Sequence, residues 1–292
     1  VIKKGDIRII APRLASQSVN CIVTSPPYWG LRDYGHADQI GLEPTPEAYV
    51  QTMVGVFGEL HRVLRDDGTL WLNLGDTFVA KNLVGIPWRV ALALQADGWY
   101  LRSDIIWSKP NCMPESVTDR PTKAHEYLFL LSKTESYYYD QDAIREPNSM
   151  NRPRKNRNNS TTFKRNGSKR EQTIPGQGYG THRPDRSDTD YNPLGRNKRS
   201  VWEVSLRAYG GAHFAVFPPD LIEPCILAGC PPGGIVLDPF FGSGTVGQVA
   251  IKTGRNWLGI EINSDYIKLA EERINGTQLP LIVPGSEANK LC

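Results

Sequence analysis

The residues Ser25-Pro26-Pro27-Tyr28 close an apolar run, Cys21-Ile22-Val23-Thr24, and Trp29 follows them. Proline has no N–H for a strand ladder, so the strand stops at Ser25 and a stiff turn begins. The turn holds a hydroxyl, two carbonyls and two rings at the carboxyl end of a strand, where open parallel sheets bind their ligands. A hydroxyl and a proline carbonyl can each accept one N–H of an amine. That arrangement suits the exocyclic amine of cytosine or adenine, a poor nucleophile because its lone pair is delocalised into the ring. Drawing both N–H bonds toward acceptors pyramidalises the nitrogen and frees the lone pair, and Tyr28 can stack on a base that has left the duplex. Taken by itself, the stretch also reads as a capped strand followed by a rigid surface turn.

A second stretch, Asp238-Pro239-Phe240-Phe241-Gly242-Ser243-Gly244-Thr245-Val246-Gly247, directly follows a strand-like run. Gly242, Gly244 and Gly247 match G-x-G-x-x-G, and Glu261 ends the next strand, which taken mechanically is a dinucleotide fingerprint with Glu261 on a ribose. A tight turn without a ligand is the plain alternative. Asp238 argues against a pyrophosphate, which it would repel, and for a ligand carrying an ammonium group. S-adenosylmethionine fits that requirement: a cationic amino group for Asp238, a ribose diol for Glu261 and no phosphate. Glycines let the backbone approach its methionine portion. Beside such a methyl donor the Ser25–Tyr28 turn acquires its role, chiefly positioning and stabilisation of charge developing on nitrogen.

The elements that must hold these stretches alternate. Ile7–Ile10 and 20–25 read as strands. Thr45-Pro46-Glu47 starts a helix, with a capping hydroxyl and proline at the first helical position. Val50, Met53, Val54, Phe57, Leu60 and Leu64 recur at helical spacing until Asp67-Gly68. Strands follow at 69–74, 100–107 and 126–132, with a helix from about Pro87 to Gly98. Tyr137-Tyr138-Tyr139 reads as a further strand run rather than a base-stacking platform. After a polar stretch, helices near 219–228, over 244–253 and from Ser264 alternate with strands at 233–238 and 256–262. This alternation predicts a mostly parallel sheet covered by helices on both faces.

The net charge of +3 over 292 residues conceals an asymmetry. Residues 141–200 hold 14 Lys and Arg against 6 Asp and Glu, a surplus of eight, so the remainder carries −5. Within 151–170 there are eight basic residues and no acidic one. This reads either as a solvated linker or as a phosphate-contacting surface. The domain organisation is therefore a discontinuous catalytic and donor-binding domain, 1–140 and 201–292, interrupted by a basic insert, 141–200. Arg152, Arg154, Lys155, Arg157, Lys164 and Arg165 are its phosphate-contact candidates, and base-reading side chains cannot be singled out. Cys21, Cys112, Cys225, Cys230 and Cys292 form no Cys-x-x-Cys pair, which indicates neither a zinc site nor a disulfide framework. No apolar run reaches a membrane span, and the first residues lack the pattern of a signal peptide. The expectation is a cytoplasmic protein without metal or membrane partner.

Together, "TSPPYW" and "DPFFGSGT" resemble the signatures of the DNA amino-methyltransferases that act on N4 of cytosine or N6 of adenine. The catalytic motif precedes the donor motif with a recognition region between them, an order similar to the circularly permuted β group. The resemblance covers about 1–140 and 205–275. It implies a circularly permuted, Rossmann-like α/β methyltransferase fold using S-adenosylmethionine and no metal. It implies that Ser25, Pro26, Pro27 and Tyr28 handle the target amine. Asp238, Phe240, Gly242, Gly244 and Glu261 would hold the donor. Asp6, in "GDIRII", would face its adenine, and Phe217, in "HFAVFP" with His213 and Ala215, would line its pocket. Double-stranded DNA is the implied partner, with a cognate restriction endonuclease as a further one and a monomer or homodimer as the assembly.

Serine at position 25 is typical of the N4-cytosine members and aspartate of the N6-adenine members, so N4 of cytosine is the expected target. N6 of adenine is the alternative, and an RNA or protein amide methyltransferase is a more distant one. C5-cytosine methylation needs a cysteine nucleophile. Cys225, which follows Pro224, reads instead as a core residue of an apolar helix. Trp29 either flanks the base or packs, and His36 and His125 show no spacing that suggests acid–base or metal chemistry.

Overall fold

The computed structural model describes residues 1–31, 35, 39–147, 192–206 and 217–277. The chain divides into two units, one formed by Val1–Ile144 with Arg199–Cys292, the other by Arg145–Lys198. In the second unit, Glu146 and Arg196 form an antiparallel bridge and an ion pair at 3.1 Å. The six insert residues expected to meet DNA, Arg152, Arg154, Lys155, Arg157, Lys164 and Arg165, lie outside the described residues, as do His36, His213 and Ala215.

The first unit runs β1 (Ile2–Lys4), α1 (Ile7–Ile10), β2 (Val19–Thr24), α2 (Pro46–Val63) and β3 (Leu64–Leu74). A small hairpin, β4 (Phe78–Val79) and β5 (Asn82–Leu83), precedes α3 (Ile86–Ala96), β6 (Tyr100–Ser108) and β7 (His125–Ser132). It continues with β8 (Val201–Glu203), α4 (Pro219–Gly229), β9 (Ile235–Asp238), α5 (Thr245–Lys252), β10 (Asn256–Glu261) and α6 (Ser264–Asn275). The main sheet has the order β1-β10-β9-β2-β3-β7-β6-β8. Every neighbouring pair is parallel except those of β7, which runs against both β3 and β6.

Side-chain alternation accounts for two covered faces. Ile22, Leu70, Leu72, Phe129, Leu131 and Leu237 join the core built with α2 and α3. Their strand neighbours Cys21, Val23, Trp71, Leu128, Leu130 and Val236 join the opposite core, with α4 and α5. Helix α2 starts as its sequence dictates, with Thr45 accepting from the Ala48 N–H at 3.1 Å and Pro46 in the first turn. Among the described residues no helix is long and apolar enough to cross a membrane.

Three expectations need correction. Ile7–Ile10 forms a short helix, not a strand, because Asp6 caps it and only Ile7 is buried. Helix α2 ends at Val63 rather than near Asp67, since Leu64 already has extended geometry and opens β3. Tyr137–Tyr139 forms no strand. Instead Tyr139 stacks on Trp71 at 6.4 Å, closing the α4-side core.

The chain leaves β2 through α2 toward β3 on one side, and leaves β9 through α5 toward β10 on the other. The boundary between β9 and β2 is thus a topological switch point, and the crevice beyond their carboxyl ends is where such sheets take ligands. Phe241 secures the donor-side loop above this boundary. Its ring is buried, stacks on Trp257 at 5.3 Å and lies against Gly259, where a Cβ would fall 2.4 Å from it. Phe241→Ala should therefore destabilise the protein by about 3–5 kcal/mol in denaturant titrations. The partly exposed neighbour, Phe240→Ala, should cost clearly less.

Candidate functional site

Both sequence stretches arrive at this crevice, and they touch. Thr24, the residue before Ser25, donates its hydroxyl to Asp238 Oδ1 at 2.7 Å. The Phe240 N–H donates to the same oxygen at 3.0 Å, which leaves Oδ2 open among the described residues. Asp238 is buried at the end of β9, and desolvation raises its pKa from 3.8 to about 7, with Glu261 adding to the rise and the two donors opposing it. Glu261, at the end of β10, accepts from the Gly242 N–H at 2.7 Å and from the Asn263 N–H at 2.8 Å. Burial pushes its carboxyl up as well.

These two acids sit on adjacent strand ends, joined by a loop whose backbone makes the turn with Gly242 at φ +50° and Gly244 at φ +80°. The glycines differ in use. A Cβ at Gly242 would come no nearer than 4.0 Å to a neighbour, the Phe240 carbonyl, whereas one at Gly244 would press on Ala270 at 2.9 Å. Phe240 and Phe217 are partly buried beside the two cores, on opposite faces of the sheet. Asp6 reaches the region through its neighbour, as the Gly5 N–H bonds to the Glu261 carbonyl at 2.9 Å. Its carboxylate, however, caps α1 and pairs with Arg8. The donor set of a buried carboxylate with an open oxygen, a second acid on the next strand and an open glycine turn fits a cationic amino acid joined to a ribose.

Across Thr24, a pocket of about 230 Å³ opens among Ser25, Pro26, Tyr28, Leu31, Gly75, Asp76, Lys109, Glu115, Lys123, His125 and Glu126. Its floor is polar. Ser25 Oγ donates to the Tyr28 hydroxyl at 3.1 Å, and that hydroxyl donates to Glu126 Oε2 at 2.8 Å. Asn73 Nδ2 donates to the Tyr28 oxygen at 2.7 Å and to Glu126 Oε2 at 2.9 Å. Lys109 pairs with the other Glu126 oxygen, Oε1. Burial, and then the Glu126 charge, raise the Tyr28 pKa well above its usual value, so the phenol stays protonated. The Tyr28 ring lies on the Gly75 backbone, where a Cβ would fall 2.5 Å from it.

The turn is braced from behind. Tyr49 donates its hydroxyl to the Pro27 carbonyl at 2.9 Å, and Trp29 donates to the Glu43 carbonyl at 2.8 Å while packing on the core. Trp29 is thus a packing residue and not part of the pocket wall. Cys225 is fully buried in α4. Among the described residues no group of acids, histidines or cysteines could hold a metal.

Sequence reading missed Asn73, Lys109, Lys123 and Glu126. One signal was present: Asn73 is a polar residue inside the run Leu70-Trp71-Leu72-Asn73-Leu74, which is otherwise buried apolar sheet. Glu126 carried none, because its relevance depends on β7 running antiparallel, which brings the start of that strand to the same edge as the ends of β2 and β3.

A central sheet with one reversed strand, a glycine turn flanked by two acids at the switch point and a hydroxyl–proline turn beside it define a group-transfer enzyme of the methyltransferase class. Comparison gives the family. Residues 19–272 match the N6/N4 DNA methylases, and the chain belongs to that family. The type II methyltransferase M.Cfr9I of Citrobacter freundii is 44% identical over 96% of this chain and 89% of its own length. M.SmaI of Serratia marcescens is 43% identical over 92% and 89%. Among solved structures, the PvuII DNA methyltransferase, described as cytosine-N4-specific, superposes with a TM-score of 0.67 at 19% identity, covering 93% of this chain and 85% of that one. A Thermus thermophilus protein solved in complex with S-adenosyl-L-methionine gives 0.59 at 24% identity, covering 98% and 95%. The chain is a DNA methyltransferase with the circularly permuted Rossmann-like fold, and S-adenosylmethionine is its methyl donor.

The state of Asp238 is testable without any ligand. Its folded pKa lies above the unfolded value, so between about pH 4 and 7 the native state holds a proton that the unfolded chain has lost. Asp238 therefore lowers stability progressively as pH rises through that window. Asp238→Asn should flatten this part of the stability profile of the donor-free protein, gaining on the wild type at pH 8 relative to pH 4 in urea melts. Parallel profiles would contradict the assignment.

Proposed function

We propose that this enzyme transfers a methyl group to the exocyclic N4 of cytosine in duplex DNA. The observation that carries the reading is the 2.7 Å bond between Thr24 and Asp238, which sets the Ser25 turn beside the acids of the donor loop. Asp238, through its open oxygen, takes the ammonium of S-adenosylmethionine. Glu261, held by two backbone N–H groups, takes the ribose hydroxyls. Gly242 and Gly244 shape the turn, Phe240 and Phe217 flank the donor, and Asp6 stands at its adenine end. Bound there, the donor supplies an electrophilic methyl group on a sulfonium.

The target base, swung out of the duplex, enters the pocket in front of Tyr28. Ser25 Oγ accepts one amine hydrogen. The Pro27 carbonyl is already taken by Tyr49, so the Pro26 carbonyl in the pocket wall accepts the other, and Pro27 fixes its direction. With both hydrogens drawn aside, the nitrogen lone pair faces the donor side of the crevice. The nitrogen forms its bond to carbon as the bond from sulfur breaks, and the surplus proton leaves to solvent. Serine at position 25 and the stated specificity of the PvuII neighbour support cytosine. The basic insert, 141–200, supplies phosphate contacts through residues such as Arg152, Arg154, Lys155, Arg157, Lys164 and Arg165. The type II relatives also favour a cognate endonuclease of the same site specificity as a partner.

Nucleoside mass spectrometry of DNA methylated by the purified protein tests the target: N4-methylcytosine is expected, and N6-methyladenine alone would replace the reading. Variants test the roles. Ser25→Ala should cut kcat by about a hundredfold or more and leave donor Kd nearly unchanged. Glu261→Ala should chiefly weaken donor binding. Equal loss of donor affinity in both would overturn this division of labour.

A further inference from the structure

A serine hydroxyl is a weak and rotatable acceptor, able to present its proton as readily as its lone pairs. An amine losing hydrogen-bond density to Ser25 needs the lone pairs. The bonds beneath the pocket decide which it meets. Lys109 occupies Glu126 Oε1, and Oε2 receives both the Tyr28 hydroxyl and an Asn73 N–H. An ionised carboxylate only accepts, so the proton between Tyr28 and Glu126 belongs to Tyr28. Asn73 turns its amide nitrogen, a pure donor, to Tyr28 at 2.7 Å, so Tyr28 cannot aim its proton there. Glu126 is the acceptor left for it. The Tyr28 oxygen then has a lone pair for Ser25, and the Ser25 proton points inward at 3.1 Å. Asn73 Nδ2 also donates to Ser25 Oγ, at 3.4 Å the longest of its contacts, which leaves one serine lone pair free for the amine.

We propose that Glu126 is a positioning residue for methyl transfer, acting through Tyr28 to commit the Ser25 proton inward and turn the free Ser25 lone pair toward the target amine. The inference rests on the proposed role of Ser25 as amine acceptor. It deepens that role by naming what lets a neutral hydroxyl perform it. Each bond in the row is polarised by the negative charge at its inner end, which makes the outermost oxygen a better acceptor than an isolated serine. Glu126 acts through Tyr28 in this scheme, and Lys109 holds its carboxylate in place.

A double-mutant cycle on the full-length protein tests the row. Glu126→Gln keeps the size and removes the charge, and Tyr28→Phe keeps the ring and removes the hydroxyl. Each should lower kcat by about ten- to a hundredfold with donor Kd and melting temperature close to wild type. Because both break one row, the double variant should be no more than about threefold below the worse single. Losses that multiply in the double variant would show two independent roles and overturn the proposal, as would wild-type turnover in Tyr28→Phe. Should Glu126→Gln fold poorly, Glu126→Asp, which keeps the charge and withdraws it from Tyr28, takes its place in the cycle with Tyr28→Phe, and losses that multiply again overturn the proposal. Turnover is read as total labelled methyl in DNA and the modified base is identified separately. Adenine methylation would thus sink the cytosine reading while leaving the row standing.

Discussion

Everything the molecule does at its crevice depends on two strands, β2 and β9, lying side by side although more than two hundred residues separate them in the chain. Their register pairs Cys21 with Val236 and Ile22 with Leu237, and the end of that register brings Thr24 onto Asp238. This contact is short and buried, and a hydrogen bond out of water is stronger than one in it. It also divides the crevice. One side carries the acids and the glycine turn, the other the hydroxyl and the proline corner, and a shift of one residue would send one of the sets to the wrong face of the sheet.

The carboxylates around the crevice have distinct duties, and their partners show which. Asp76 accepts N–H bonds from Thr77, Gly85 and Ile86, fixing the start of α3, and Glu115 is paired with Arg120. Glu126 is held by Lys109 and underlies Tyr28. Asp238 and Glu261 remain as the acids facing the open glycine turn, each stabilised by N–H or hydroxyl donors at some of its oxygens. Burial resists their ionisation, and a cationic ligand would favour it, so donor binding and the charge of Asp238 are coupled.

The permuted order has a physical consequence. The proline corner and the donor loop lie more than two hundred residues apart in sequence, with the basic stretch between them. The strands still meet because packing on both faces, not connectivity, dictates the sheet: alternate residues of β2, β3, β7 and β9 enter two separate cores. The sheet is edged by short β8, at the end away from the donor strands β9 and β10.

Much of this was legible in the sequence, for local reasons. Apolar runs of strand length, the Thr45-Pro46 cap and helical spacing in α2 depend on neighbours a few residues away, and so did the two motif turns. Ile7–Ile10 misled because four aliphatic and basic residues carry no period long enough to distinguish a strand from a helix, and the deciding cap, Asp6, lay just outside the run. Tyr137–Tyr139 misled because strand preference is overridden where an aromatic can close a core, as Tyr139 does on Trp71. Of the paired phenylalanines, only the fold shows that Phe241 packs on Gly259 while Phe240 stays partly open. The chemistry-bearing residue types were thus determined by the sequence itself. Their assembly was decided by tertiary structure: the direction of β7 puts Glu126 under Tyr28, and the β2–β9 pairing puts Thr24 against Asp238. Such pairings arise from burying two sheet faces at once, a condition on distant segments that no short stretch of chain contains.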